Sequence, residues 1–143
     1  MTVTATIDEF EYIKIMTWAR SLRLKIGGEA ESQIRLFCWI RSRPELAPYA
    51  MSIPNDRTCT RIMGAILKYM GLKPGASDCF IAIPKGEWHG LWIEMKFGKN
   101  KATAHQIKFQ SDMDAKGYKA IICYSYEAAR AAIEEYIALE CVV

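Results

Sequence analysis

The residues with the clearest chemical potential in this sequence are Asp78, Glu94 and Lys96. Asp78 precedes one short apolar run, and Glu94 and Lys96 lie two positions apart near the end of the next. Side chains alternate between faces along a β-strand, so Glu94 and Lys96 would point to one face and Met95 to the other. A carboxylate that can bind a metal ion, placed beside an amine, suits metal-assisted hydrolysis of phosphodiesters.

The spacing of these residues predicts a β-hairpin that would bring the two carboxylates together. Two apolar runs rich in strand-forming residues are separated by a segment with turn chemistry, Pro84 to Gly90. With the turn centred in that segment, Cys79 would face Glu94, and Asp78 would lie beside Glu94. The sequence therefore predicts that one end of the hairpin carries both acids and the lysine.

The elements that must support this hairpin follow from capping patterns, apolar periodicity and chain-breaking residues. Thr6 to Glu9 and Thr103 to Gln106 have the capping-box pattern of a helix start. Gly27 and Gly28 are predicted to end the first helix. The predicted helices cover about 6–24, 29–41, 57–70, 103–117 and 125–139, and the predicted strands cover about 49–53, 79–83, 91–97 and 119–124. The order α-α-β-α-β-β-α-β-α predicts an α/β fold with a mixed sheet flanked by helices.

The composition is that of one globular domain, with 143 residues, 51% apolar and 24% charged residues and a net charge of +3. No apolar run approaches the roughly 20 residues of a membrane span, and the acidic start lacks a signal-peptide pattern, so a cytoplasmic protein without membrane contact is expected. The five cysteines show no Cys-x-x-Cys spacing, which favours buried reduced thiols over structural zinc or disulfides. No glycine-rich nucleotide-binding loop occurs, so no nucleotide cofactor is expected.

Positive charge is concentrated in the middle of the chain. Lysines outnumber acids between Lys85 and Lys119, and arginines cluster upstream of this region. Such a surface could face the phosphates of a nucleic acid, but a lysine-rich surface is also ordinary solubility chemistry, and both interpretations stay open here. The candidate phosphate contacts are Lys99, Lys101, Arg57 and Arg61.

In their order, these segments resemble the VRR-NUC group, the virus-type replication and repair nucleases of the PD-(D/E)xK superfamily. The resemblance covers roughly residues 29–137. It is carried by Glu31-Ser32-Gln33, Ser52-Ile53-Pro54-Asn55, Leu72 to Asp78, His89 to Lys96, Gln106 and Gly117-Tyr118. Ser77 stands where the superfamily name has proline, a position that varies within the superfamily. The resemblance implies a restriction-endonuclease-like core in residues 29–143, preceded by an added helix in residues 1–28.

Asp78 and Glu94 are the candidate metal ligands, because hard carboxylate oxygens suit Mg²⁺ or Mn²⁺. The resemblance adds the main-chain carbonyl of Met95. Such an ion would bind a phosphate oxygen, offset developing charge and lower the pKa of a bound water. Lys96 would orient the attacking water and stabilise the charge of the transition state. The alternative is structural, with Asp78 capping a turn and Glu94 paired to Lys96.

Two further residues complete the candidate site. By the resemblance, Glu31 on the second helix reaches the same site and would hold water or a second ion, and Glu29 is the competing acid on another face of that helix. The amide of Gln106 would hold a ligand water or the scissile phosphate. The competing role for Gln106 is that of capping-box partner to Thr103.

The function implied is that of a metal-dependent DNA endonuclease, structure-specific for four-way junctions. Small stand-alone members of the group resemble dimeric junction-resolving nucleases, and a homodimer would supply two sites for a two-fold symmetric junction. The first helix has more apolar side chains than one domain face can bury, so it is the predicted dimer surface. The alternative is a nuclease-fold module that has lost catalysis and holds branched nucleic acid for a partner.

Overall fold

The computed structural model describes residues 6–54 and 60–141 of the chain. Its helices are α1 (Ile7–Ser21), α2 (Gly28–Arg41), α3 (Arg61–Tyr69), α4 (Ala104–Ala115) and α5 (Tyr126–Ile137), and its strands are β1 (Ala50–Ser52), β2 (Cys79–Ile81), β3 (Leu91–Met95) and β4 (Lys119–Cys123). The order of helices and strands is the predicted one, with a short 3₁₀ turn, Ala47–Tyr49, before β1. Each described helix is too short or too polar to span a bilayer.

The strands form one mixed sheet in the order β1-β2-β3-β4. Strand β2 pairs antiparallel with β1 and with β3, whereas β3 and β4 run parallel. A parallel pair requires a crossover connection, and α4 supplies it. The predicted α/β fold with a mixed sheet flanked by helices is confirmed.

Alternation along β3 divides its side chains between the two faces of the sheet. Ile93 and Met95 are fully buried in the core that the sheet forms with α2 and α5. On the other face, the ring of Trp92 stacks on Phe80 with centroids 4.3 Å apart and meets Phe109 of α4 edge-on at 5.0 Å. Helix α4 therefore covers the face to which the even-numbered residues of β3 point.

The hairpin register differs by one residue from the prediction. Cys79 pairs with Ile93, so the predicted pairing of Cys79 with Glu94 is wrong. At the tip of the hairpin, the isolated bridge between Lys85 and Trp88 still has the predicted register. Between this bridge and the paired strands, the first arm of the hairpin has one residue more than the second arm. The longer arm contains Pro84, which has no N–H to donate. The extra residue shifts the ladder as a β-bulge does.

The first helix ends earlier than predicted. Its last residue is Ser21, not a residue near 24. Arg23 adopts a positive φ of 56° directly after the helix, and the following N–H donates back into the last helical turn, so the helix closes without a glycine. The glycine pair does not end α1 but starts α2, with Gly27 as its N-cap and Gly28 as its first residue.

The described cysteines are free thiols, and all of them except Cys141 are buried. The prediction of buried thiols is therefore wrong for Cys141, which follows the last helix and lies outside the core. Cys59 and Arg57 lie outside the described residues, as does the predicted start of the third helix. That helix is described from Arg61, after Thr60, whose side chain caps it.

Candidate active site

Glu94 and Lys96 lie on the same face at the end of β3, as strand alternation predicts. The side chain of Met95, between them, belongs to the core on the opposite face. Lys96 Nζ is 3.4 Å from Glu94 Oε1, and the two side chains are only 9% and 2% exposed. Charged residues are rarely this buried unless paired, and burying even a pair costs hydration energy. This strand end is therefore a candidate functional site.

Asp78 lies at the start of β2, next to the end of β3. Its Oδ2 accepts a hydrogen bond from the backbone N–H of Met95 at 2.8 Å. Its carbonyl oxygen accepts another from the N–H of Ile53, also at 2.8 Å, just beyond β1. The structure thus brings Asp78 to the Glu94 end of the hairpin, as predicted, despite the one-residue shift in register.

Burial raises the pKa of the Glu94 carboxyl from an ordinary 4.5 to about 7. Loss of hydration is the largest cause, the negative charge of Asp78 adds to it, and the amine of Lys96 opposes both. Within the described residues, the buried Oε2 of Glu94 has no hydrogen-bond partner. An uncompensated carboxylate oxygen near a second carboxylate is a position that a bound cation would stabilise.

Gln106 is the capping-box partner of Thr103, and its side-chain amide also reaches the candidate site. In the capping box of α4, the Thr103 hydroxyl accepts a hydrogen bond from the Gln106 N–H, and Gln106 Oε1 accepts one from the Thr103 N–H. The side-chain amide nitrogen of Gln106 donates to Glu94 Oε1 at 2.5 Å. The first turn of α4 therefore fixes an amide donor against the buried carboxylate.

The two acids of α2 have different surroundings. Glu31 accepts a hydrogen bond from the hydroxyl of Tyr12 on α1. Glu29, in contrast, contributes to the raised pKa of Glu94 through its negative charge. Residues two apart on a helix differ in direction by about 200°, so these two acids face different neighbours. The charge of Glu29, the competing candidate, thus acts on Glu94, whereas the carboxylate of Glu31 is held by Tyr12.

The predicted phosphate contacts lie on separate elements. Lys99 and Lys101 are exposed in the loop between β3 and α4, shortly after Lys96, and Gly98 turns this loop with a φ of 61°. Arg61 is exposed at the first residue of α3, on the connection between β1 and β2. The two lysines therefore adjoin the candidate site in sequence, whereas Arg61 belongs to a different part of the fold.

Two aromatic residues lie beside the site, and no sequence motif predicts a functional role for either of them. Phe97 directly follows Lys96, and Tyr124 directly follows β4. The Lys96 N–H donates to the carbonyl oxygen of Cys123 at 2.8 Å, so the parallel pairing continues to this point and places Tyr124 beside Lys96. The only signal available in the sequence is that both residues follow strands predicted to end at this edge.

The donors at this end of β3 fit a hard divalent cation. Among residues 6–54 and 60–141, no three or more His, Cys, Asp or Glu side chains group as a metal site. Two carboxylates are present, from Asp78 and Glu94, and the main-chain carbonyl of Met95 belongs to the same strand end. Mg²⁺ keeps several waters and binds through one or two carboxylates, so this sparse set suits Mg²⁺ or Mn²⁺ better than zinc.

No protein-family model matches the sequence, and no curated protein matches it significantly. Among solved structures, one described as a "VRR_NUC domain protein" superposes on the chain with a TM-score of 0.72. The two are 29% identical in sequence, and the match covers 82% of this chain and 94% of that chain. The similarity therefore extends over most of both chains.

Proposed function

Since this chain belongs to the VRR-NUC domains, a nuclease-family fold, we propose that it is a metal-dependent endonuclease that hydrolyses phosphodiester bonds in DNA. The observation that carries the proposal is the buried carboxylate of Glu94. It shares one end of the hairpin with Asp78 and Lys96, and one of its oxygens has no partner among the described residues. Burying these charges lowers the stability of the fold, so a reaction at this point explains the arrangement better than a structural role does.

Asp78 and Glu94, with the carbonyl of Met95, would hold Mg²⁺ or Mn²⁺. The bound ion would stabilise charge on the phosphate and make a water molecule more acidic. The chain itself orients the carboxylates, because the N–H of Met95 donates to Asp78 and the amide of Gln106 donates to Glu94. Both donors belong to regular elements, so the two carboxylates are held in place before substrate binds.

Lys96 is the group that we propose acts on the reacting atoms. Its amine is nearly buried and lies 3.4 Å from Glu94 Oε1, so the strand and its neighbour set its direction. From this position the amine would donate hydrogen bonds to the attacking water and to a phosphate oxygen. Because little water surrounds it, its positive charge would stabilise the transition state more strongly than an exposed lysine would.

We assign the contribution of α2 to Glu29 rather than to Glu31. Glu29 lies in the first turn of α2 and its charge acts on Glu94. Its carboxylate would hold a water molecule or a second ion at the same strand end. Glu31 is instead bound to Tyr12, which gives it a place in the packing between α1 and α2.

We propose that the substrate is branched DNA, a four-way junction, bound by a homodimer. A junction has two equivalent strands to cut, and the described chain has one Asp78–Glu94–Lys96 set, so a second copy would supply the second site. Lys99 and Lys101, next to the site, would contact flanking phosphates. Apolar residues of α1 and of its C-cap that are more than half exposed support a partner surface there, namely Ile7, Phe10, Ile13, Trp18 and Leu22.

The test is cleavage of labelled DNA by the pure protein. A four-way junction, a flap, a linear duplex and a single strand are each incubated with Mg²⁺, Mn²⁺, Ca²⁺ or a chelator. We expect cleavage with Mg²⁺ and Mn²⁺, little with Ca²⁺, which polarises water less well, and none with the chelator. Asp78→Asn should be inactive, and Asp114→Asn, at an exposed acid of α4, is the matched control. Junction binding without cleavage in any metal would favour the inactive binding module instead.

A further inference from the structure

A cavity of about 260 Å³ lies beside the catalytic strand end and has no role in the proposed hydrolysis. It is lined by four aromatic residues, Tyr12, Phe97, Tyr124 and Tyr126, together with polar residues of α2 and α5. Phe97 is the residue after Lys96, and Tyr124 lies next to Lys96 across the parallel pair. The cavity therefore lies at the same strand end as Lys96, on the side of the sheet that α2 and α5 cover.

The polar groups of the cavity offer both hydrogen-bond donors and acceptors. The guanidinium of Arg35 lies over the rings of Tyr12 and Tyr126, at 5.4 and 4.7 Å from their centroids. Glu31 accepts the hydrogen bond of Tyr12, and Glu127 is 3.7 Å from Arg35. Two carboxylates and one guanidinium give the lining a net negative charge, which disfavours a phosphate. Flat apolar walls with mixed donors and acceptors fit the face and the edge of a nucleobase.

One wall of the cavity is held close against α2. The ring of Phe97 packs on Gly28, where an added Cβ atom would lie 2.6 Å from the ring. Phe97 is nonetheless 52% exposed and Tyr124 is 48% exposed. Aromatic rings that keep half of their surface accessible can stack on a flat ligand.

We propose that this cavity binds one unpaired base of the DNA, next to the phosphate that is cut. The inference rests on the proposed function and adds that, within branched DNA, the nucleotide at the cleavage point is unpaired when it is bound. In a continuous duplex, a base is stacked on both sides and its edge is paired, so it would have to leave the helix to enter. Branched or bulged DNA lowers that cost, and the cavity would thereby select such structures.

The experiment measures binding separately from cleavage. The probes are a duplex with one unpaired fluorescent adenine analogue and the matched continuous duplex, both titrated in Ca²⁺. Tyr124→Ala and, independently, Phe97→Ala should weaken binding of the bulged probe by about tenfold or more, since stacking on one aromatic side chain contributes ~1–3 kcal/mol. Tyr124→Phe should bind as the wild type does. Tyr49→Ala is the matched control, because Tyr49 is 49% exposed but precedes β1, at the opposite edge of the sheet.

The expected result is selective loss of bulge binding, accompanied by loss of the fluorescence quenching that stacking produces. Equal weakening for both probes, or unchanged binding in both alanine variants, would overturn the inference. Melting temperatures of all variants identify any that fail to fold, and the two alanine substitutions report independently. If the wild type cleaves nothing in Mg²⁺ or Mn²⁺, the proposed function fails, while the binding comparison still decides whether the cavity takes a base.

Discussion

Replacing Glu94 by glutamine should remove a specific pH dependence from the stability of the metal-free protein. Burial raises the pKa of Glu94 from 4.5 to about 7, so the folded chain keeps this proton over a range in which the unfolded chain has lost it. The stability associated with the bound proton is complete below pH 4.5 and is lost as the pH rises through about 7. Glutamine has no such proton, so this contribution disappears in the variant.

The size of the effect follows from the two pKa values. One pKa unit corresponds to about 1.4 kcal/mol, so ionisation of Glu94 should lower the free energy of unfolding by about 3 kcal/mol. For a chain of this length, 1 kcal/mol changes Tm by roughly 2–4 °C. Between about pH 4 and about pH 8, the wild type should therefore lose roughly 6–12 °C more than Glu94→Gln does.

The assay is thermal unfolding, followed by circular dichroism in excess chelator, at several pH values. Glu134→Gln is the control, since Glu134 is an acid on α5 whose side chain is 49% exposed. Adding Mg²⁺ should then raise the Tm of the wild type more at high pH than at low pH, because the ion requires an ionised carboxylate. Parallel pH profiles for wild type and Glu94→Gln in chelator would refute this account of the site.

The other expectations concern cleavage, DNA binding and assembly. Lys96→Ala should reduce cleavage by about 10²-fold or more with little change in DNA binding, as loss of a charge-stabilising donor does, and near-normal turnover would contradict its role. Glu29→Gln should lower cleavage far more than Glu31→Gln, and the reverse order would return the role to Glu31. Lys99→Ala combined with Lys101→Ala should reduce the slope of log affinity against log salt by up to about two, and an unchanged slope would remove both lysines from the interface. Light scattering should give twice the 16.3 kDa chain mass, and a monomer at every concentration would exclude the junction-resolving dimer.

The sequence by itself determines the order of the elements and the local chemistry of the site. Alternation in an extended run places Glu94 and Lys96 on one face whatever packs there. The capping box at Thr103 starts α4 at the predicted residue, because it depends only on groups within one turn. These features are local, so periodicity and capping were sufficient to predict them.

Tertiary structure decides how these local pieces meet. The extra residue before Pro84 changes the ladder register, and the packing of α4 determines that the Gln106 amide reaches Glu94. The placement of α2 lets the charge of Glu29 act on that carboxyl and gives Glu31 the hydroxyl of Tyr12 as a hydrogen-bond donor. The aromatic cavity combines residues from separate parts of the chain, including α1, the end of β3 and the end of β4. No sequence pattern predicts it, because its shape depends on how elements distant in the chain pack against one another.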